Sequence, residues 1–550
     1  MTTLATAPPD RGGPAGPAST GAEPRVAAPA NGALPANPAE PAREPDPAET
    51  VVAIGALPPL TVPVAVRRAA GPRLPSDTGQ GWVVTLVISA IGAIVRFWQL
   101  GFRTDAGTPI FDEKYYSLNS WEVLTNGGYE ANPGYGVVVH PPLGKQVIAI
   151  GEWLFGYNAL GWRFMTAVAG VVCVAIVIRV ARRLTGSTFI GGLAGILLIC
   201  DGVSHVQSRT GLLDMIQAVF VLAGFACVVA DRDQVRARLL ESLDTVTDHW
   251  AGPALGARWW RFGAGVMFGC ATAVKWSGIY WFAAFGVIVV IWDITARRSV
   301  GVRKSLRAVL RRDVLPSVWS LAVVPLIVYV ASWWAWFASE TAWARHLTGN
   351  VVTSFLKWQQ QMLAFHANLR TPAVVASRHP WESKPWSWPM GTRPVLYYVQ
   401  GGADATGCNG ATDCVKRIFL IGTPSMWWLA LPVLFWSLWR IIGRQDWRYA
   451  AVVAAYAAGY LPWFFNLERQ MYFFYMTPVA PFLILAIALV LGDVLAQRTA
   501  GIERQLLALG AVCLYVGVVV ANFAFLWPVL NGDPITNAQL TARIWLPTWG

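Results

Sequence analysis

Three observations make the 550-residue sequence an all-α polytopic membrane protein. Hydrophobic residues make up 55% of it and charged residues only 13%, where soluble chains carry roughly 25% charge. Apolar runs of about 20 residues, the length that crosses a bilayer as a helix, recur after residue 80. Lys and Arg gather in alternate loops between them, the asymmetry that sets orientation. This composition excludes a soluble nucleotide-fold enzyme, a disulfide-framed secreted domain and a disordered regulator. The formal charge of +12 implies no nucleic-acid partner, because most basic residues sit beside apolar runs.

Residues 1–80 are rich in Pro, Ala and Gly without apolar periodicity, and are expected to form a disordered cytoplasmic tail. No charged segment followed by a short apolar core opens the chain, so the first apolar run, near 81–100, is expected to act as an uncleaved anchor. Ten further runs lie near 162–180, 187–205, 211–230, 262–277, 279–295, 314–336, 424–442, 449–466, 471–492 and 504–526, giving eleven expected spans over the 81–550 membrane domain. The stretch 262–295 is basic on both flanks and so reads as a hairpin turning at Lys275–Gly278. The basic segments before the first span, after the second, between 231 and 261, between 297 and 312 and at 440–448 place those loops in the cytoplasm. The chain is then a multi-pass protein of the cell membrane, its N-terminus inside and its C-terminus outside.

Two connections assigned to the outer side, 101–161 and 337–422, are too long to be turns, and long ordered loops usually carry function. The second holds Cys408 and Cys414, a candidate disulfide in an oxidising compartment. The other five Cys lie inside spans.

Ionisable groups near the ends of apolar spans are costly and mark function, and here they cluster on the outer side. FDEKYY at 111–116 supplies Asp112 and Glu113. HPPLGK at 140–145 supplies His140 and Lys145 around two stiffening prolines, ahead of an amphipathic segment. SRTGLLD supplies Arg209 and Asp214, which are close enough to pair with each other. VKWSG supplies Lys275, and the turn before the tenth span carries Glu468 and Arg469. Lys275 and Arg469 also fit a blander use, binding lipid headgroups. Several cations around a carboxylate suit the departure of a phosphate and the deprotonation of an incoming hydroxyl. No phosphate-cradling glycine loop, HExxH or paired CxxC is present, so neither a cofactor nor metal ligands are assigned. The donor is expected to be a lipid phosphate entering sideways from the bilayer.

FDEKYY, HPPLGK, SRTGLLD, VKWSG, WPMGTRP at 388–394 and ERQMYFFYMTP at 468–478 together resemble the protein O-mannosyltransferase family, over nearly the whole chain from about 80 to 550. The resemblance implies the membrane glycosyltransferase fold of C type. It also implies transfer of mannose, with inversion, from polyprenyl phosphate mannose to Ser or Thr of translocating proteins, with the translocation machinery as a possible partner. It makes Asp112 the general base and Glu113 a carboxylate that helps position the acceptor. Lys145 would contact the lipid phosphate or order its loop, and Arg96 and Arg163 would be functional arginines near the ends of the first two spans. Arg393 and Arg469 fall in motifs of unassigned role; His140, Arg209 and Lys275 join the substrate-binding candidates. The second long loop is too short for the β-trefoil insertion of eukaryotic members, which favours a polyprenyl over a dolichyl lipid. The alternatives are a lipid-phosphate sugar transferase acting on a lipid or cell-wall glycan, and a secondary transporter.

The topology is testable by labelling engineered thiols in intact cells with an impermeant reagent. A thiol within 350–370 should react without permeabilisation; reaction only after permeabilisation would invert the orientation.

Overall fold

The computed structural model describes residues 76–101, 107–132, 139–241, 252–402, 405, 407–408, 413–496 and 501–550. The expected tail over 1–80 lies almost wholly outside the described residues. Each of the eleven apolar runs contains a helix, but the elements are unequal in length. Seven are long and apolar enough to cross a membrane: Thr78–Phe97, Ala159–Thr185, Leu213–Glu241, Gly278–Ser299, Val314–Ser332, Pro424–Arg444 and Ile502–Asn531. An eighth results if Thr188–Ile199 and Gly202–Ser208, bent by 64° at their junction, count as one span. Trp259–Val274, Trp447–Tyr460 and Ala480–Leu495 are shorter, so length alone does not establish eleven crossings. The chain is a multi-pass membrane protein.

Local chemistry sets the helix ends. Asn158, Ser187, Asp201, Asn350 and Asp446 each accept backbone N–H bonds as N-caps, satisfying donors that have no partner inside the helix. Asp201 starts the second half of the bent pair and is fixed in turn by Trp427 Nε1 at 2.7 Å, so a break in an apolar segment coincides with a capped polar group. The expected hairpin is present, with Lys275–Ser277 joining Trp259–Val274 to Gly278–Ser299. Val314–Ser332 is interrupted by a π-helical turn at Trp319–Val323. Gly265 lies against that turn: a Cβ there would stand 1.8 Å from the Ser320 carbonyl oxygen.

The basic side is more than a lipid-facing fringe. Arg258 pairs with Asp231 and, at 2.6 Å, with Asp293, all three buried. Arg297 holds Asp313 through bonds of 2.8 and 3.0 Å. Pairing inside the bundle removes the penalty that each charge would meet alone in a low-dielectric setting.

The two long connections are structured. Residues 101–161 contain the helices Glu113–Thr125 and Leu143–Phe155, the latter with Ile150, Trp153, Leu154 and Phe155 exposed along one side. Residues 337–422 contain the helix Val351–Asn368 and two strands, β1 (Val395–Gly401) and β2 (Cys414–Leu420), which pair antiparallel. β3 (Ile535–Thr536) adds to β2 and ties the C-terminal segment to the same sheet. Cys408 and Cys414 are joined as a disulfide, their Cα atoms 5.7 Å apart. This small sheet accompanies an otherwise helical bundle. A seven-residue strand in a long polar loop carries no spanning signal, and its pairing comes from the fold around it.

Gly265→Ala should lower stability by about 1–3 kcal/mol, the usual cost of forcing atoms into a filled contact, because the obstructing atom is backbone. Thermal unfolding of purified protein checks this against Gly286→Ala, where nothing lies within 4 Å of the added Cβ. Equal melting temperatures for the two variants would contradict the close approach.

Candidate functional site

The two motif-bearing loops and three span junctions surround one cavity of about 1030 Å³. Its polar wall includes Asp112, Asn119, His140, Lys145, Asp214, Gln217, Lys275, Gln359, His366 and Arg469. Its apolar wall includes Ile279, Leu326 and Leu363, all three of them exposed.

Asp112 and Glu113 are neighbours in sequence with opposite surroundings. Glu113 is fully buried and every oxygen is committed. Arg163 donates to both of its oxygens at 2.7 Å, the Gly211 N–H to Oε1 at 2.7 Å and the Ile110 N–H to Oε2 at 2.9 Å. Arg163 also donates to the Leu100 carbonyl. This bidentate pair ties the start of the helix Glu113–Thr125 to the second long span and to the turn after Ser208. The geometry corrects two expectations, since neither Glu113 nor Arg163 lines the cavity.

Asp112 ends up on the other side of that anchor. It precedes the helix Glu113–Thr125, yet its side chain makes no capping bond, and it lines the cavity. Burial pushes its carboxyl up to about 6, opposed mainly by Lys275 and reinforced by Asp214. A carboxylate in that range is a better base than an ordinary surface Asp and is still ionised at neutral pH.

The cations divide by how they are held. Lys275 binds Asp214 at 2.8 Å, and Gln217 fastens the turn that carries it, donating to the Lys275 carbonyl at 3.0 Å. Asp214 therefore pairs with Lys275 and not with Arg209. Arg209 turns away and donates to the Arg96 and Trp98 carbonyls at 2.7 and 2.8 Å, closing the C-terminal end of the first span. Arg96 itself is fully buried and donates to the Leu198 carbonyl. Lys145 meets Glu130 at 2.5 Å and the His140 carbonyl at 3.1 Å, so it orders its own loop while touching the cavity. Arg469 donates to the His366 carbonyl. Its backbone carbonyl accepts from Lys384 Nζ at 2.8 Å, which pins its turn to the second long connection. Arg393 binds the Pro380 carbonyl and is absent from the cavity wall.

His140 and His366 face one another with ring centres 5.2 Å apart. Burial lowers both, with the charges of Lys275 and Arg469 adding to the effect, and His366 falls to about 4. Both imidazoles are neutral at physiological pH, and His366 Nε2 lies 2.9 Å from the Val139 carbonyl. Among the described residues no group of three His, Cys, Asp or Glu could hold a metal ion.

The sequence pattern alone missed Glu130, Gln217, Gln359 and His366. His366 carried one signal, an isolated His in a long outer loop; the others required knowledge of who faces whom.

Residues 158–343 match the family described as dolichyl-phosphate-mannose-protein mannosyltransferase, and 351–549 match the C-terminal four-span region of protein O-mannosyltransferase. A protein from Mycolicibacterium smegmatis named polyprenol-phosphate-mannose--protein mannosyltransferase is 51% identical over 489 residues, covering 86% of this chain and 94% of its own. The protein of that name from Mycobacterium tuberculosis is 51% identical over 490 residues, covering 86% and 93%. The one from Corynebacterium glutamicum is 39% identical over 489 residues, covering 84% and 92%. A solved Saccharomyces cerevisiae structure, the protein O-mannosyltransferase Pmt1-Pmt2 complex bound to the sugar donor, has a chain that superposes with a TM-score of 0.67. At 12% identity, and covering 88% of this chain and 94% of that one, it shares the fold.

Arg163→Met would leave Glu113 buried without its main counter-charge, which should cost about 3–5 kcal/mol. The double variant Arg163→Met, Glu113→Gln should recover part of that loss, because no buried charge then remains. A double-mutant cycle on melting temperature reads the coupling; strictly additive losses would mean the pair is not the anchor described.

Proposed function

The chain belongs to the protein O-mannosyltransferase family, and on that premise we propose that it transfers mannose from polyprenyl phosphate mannose to Ser or Thr hydroxyls of proteins on the outer face of the cell membrane. The supporting observation is the shared cavity, in which Asp112 and Lys275 face the same space as an exposed apolar wall at Leu326 and Ile279. A lipid phosphate sugar can slide in along that wall with its prenyl chain still in the bilayer.

Lys275, steadied by Asp214, and Arg469, steadied by its turn, are the proposed holders of the donor phosphate. Charge-assisted contacts of this kind strengthen as negative charge grows on the leaving oxygen. Asp112 is the proposed base. The acceptor oxygen forms a bond to the anomeric carbon as the bond from that carbon to the phosphate oxygen breaks. The hydroxyl proton passes to Asp112, and the electron pair leaves with polyprenyl phosphate. Attack opposite the leaving group inverts the anomeric centre. The neutral imidazoles of His140 and His366 add hydrogen-bonding capacity without competing with the cations for the phosphate. Glu113 and Arg163 act through Asp112 by fixing the chain beside it, and Lys145 shapes the same loop. Arg209 and Arg393 brace segments at the rim. The N-terminal side of the first span is assigned to the cytoplasm, and acceptors arrive during export from the translocation machinery.

Asp112→Asn keeps shape and removes basicity, so transfer to a Ser/Thr peptide should fall about 10²- to 10⁴-fold with donor affinity little changed. A base must be deprotonated, so wild-type kcat should rise with pH through about 6, the position of the Asp112 carboxyl, and fall below it. The residual activity of Asp112→Asn should lack that limb. Near-normal transfer by a well-expressed Asp112→Asn protein would remove Asp112 from the role.

A further inference from the structure

The direction in which Asp112 points depends on its neighbour. Phe111 and Asp112 are the central residues of a turn closed by the Glu113 N–H on the Ile110 carbonyl at 2.9 Å, and Phe111 has φ of 49°. A bulky non-glycine residue in the left-handed region is strained and persists only where its surroundings hold it there.

What holds it is the outer sheet. The Phe111 ring stacks on Tyr397 with centres 4.4 Å apart and planes 9° from parallel, and Phe474 meets it edge-on at 5.9 Å. Tyr397 lies on β1 where the pairing with β2 slips: Leu396 faces Phe419 and Tyr398 faces Ile418, so Tyr397 is the extra residue of a bulge. Bulges re-aim a side chain at the point where they occur. The Tyr397 ring is buried, and Gln207 Nε2 donates to its hydroxyl at 2.9 Å, fixing it from the helix Gly202–Ser208. The same hairpin is closed by the disulfide at Cys414 and extended by the C-terminal β3.

We infer that Tyr397 is a positioning residue for the transfer reaction: its ring, aimed by the bulge, clamps Phe111 in its left-handed conformation and thereby holds the Asp112 carboxylate against the cavity. The inference rests on Asp112 being the base. Tyr397 is not among the residues that line the cavity; it acts on the reacting geometry through Phe111.

The test compares Tyr397→Leu, Tyr397→Phe and Asp112→Asn as full-length purified proteins, with polyprenyl phosphate mannose and a Ser/Thr peptide. Tyr397→Leu removes the stack and should lower kcat about 10- to 100-fold, the scale of a misplaced catalytic group, with the donor KM unchanged. The acid limb of kcat, expected near 6, should move to lower pH as water reaches a loosened carboxylate. Tyr397→Phe keeps the stack and should retain near-normal kcat and pH profile. The inference is overturned if Tyr397→Leu keeps normal kcat. It is equally overturned if kcat falls with an unmoved acid limb and Tyr397→Phe falls as far, since that pattern is general destabilisation. An active Asp112→Asn would overturn the base assignment and this inference together, whereas an inactive Asp112→Asn beside a normal Tyr397→Leu would overturn this inference alone.

Discussion

A buried carboxylate with every lone pair committed anchors the site. Glu113 binds a guanidinium through both oxygens and takes two backbone N–H groups besides. In a low-dielectric setting such a group is stable only when fully partnered, and removing one partner costs far more than the pair contributes. The anchor therefore fixes three segments at once: the turn before the helix Glu113–Thr125, the start of the second long span and the connection after Ser208. Its immediate neighbour, Asp112, is left with no such partners and is aimed into the cavity.

The same logic sorts the remaining charges. Lys145, Arg209 and Arg393 are satisfied by carboxylates or carbonyls that order their own loops. Lys275 and Arg469 are also held, and together with Lys145 they line the cavity. Arg258 and Arg297 perform the structural task in buried pairs with Asp293 and Asp313. A membrane glycosyltransferase thus needs many buried charges for shape and few for chemistry, and the partners of each distinguish the two uses.

Much of this was legible in the sequence. The apolar runs marked the helices. Asp112 of the DE pair, His140 and Lys145 of HPPLGK and Lys275 of VKWSG are brought to one cavity. Glu113 and Arg163 were singled out by type and position, but adjacency in sequence hides that Asp112 and Glu113 face opposite ways. That division depends on the left-handed backbone at Phe111, which no pattern in FDEKYY announces. The Arg209–Asp214 pairing looked local and plausible, yet the fold gives Asp214 to Lys275, 61 positions away in sequence. The sheet was illegible for a related reason, because its strands are defined by partners in distant loops and at the C-terminal end.

The central claim is that Asp112 and Lys275 flank the scissile bond between sugar and phosphate. A cryo-electron-microscopy structure with a non-hydrolysable polyprenyl phosphate mannose analogue tests it most directly. The phosphate should lie within about 4 Å of Lys275 Nζ, the range of a direct ion pair, with the anomeric carbon on the side of the cavity that Asp112 faces. A phosphate held elsewhere, or a sugar with Asp112 behind it on the leaving-group side, would contradict the mechanism.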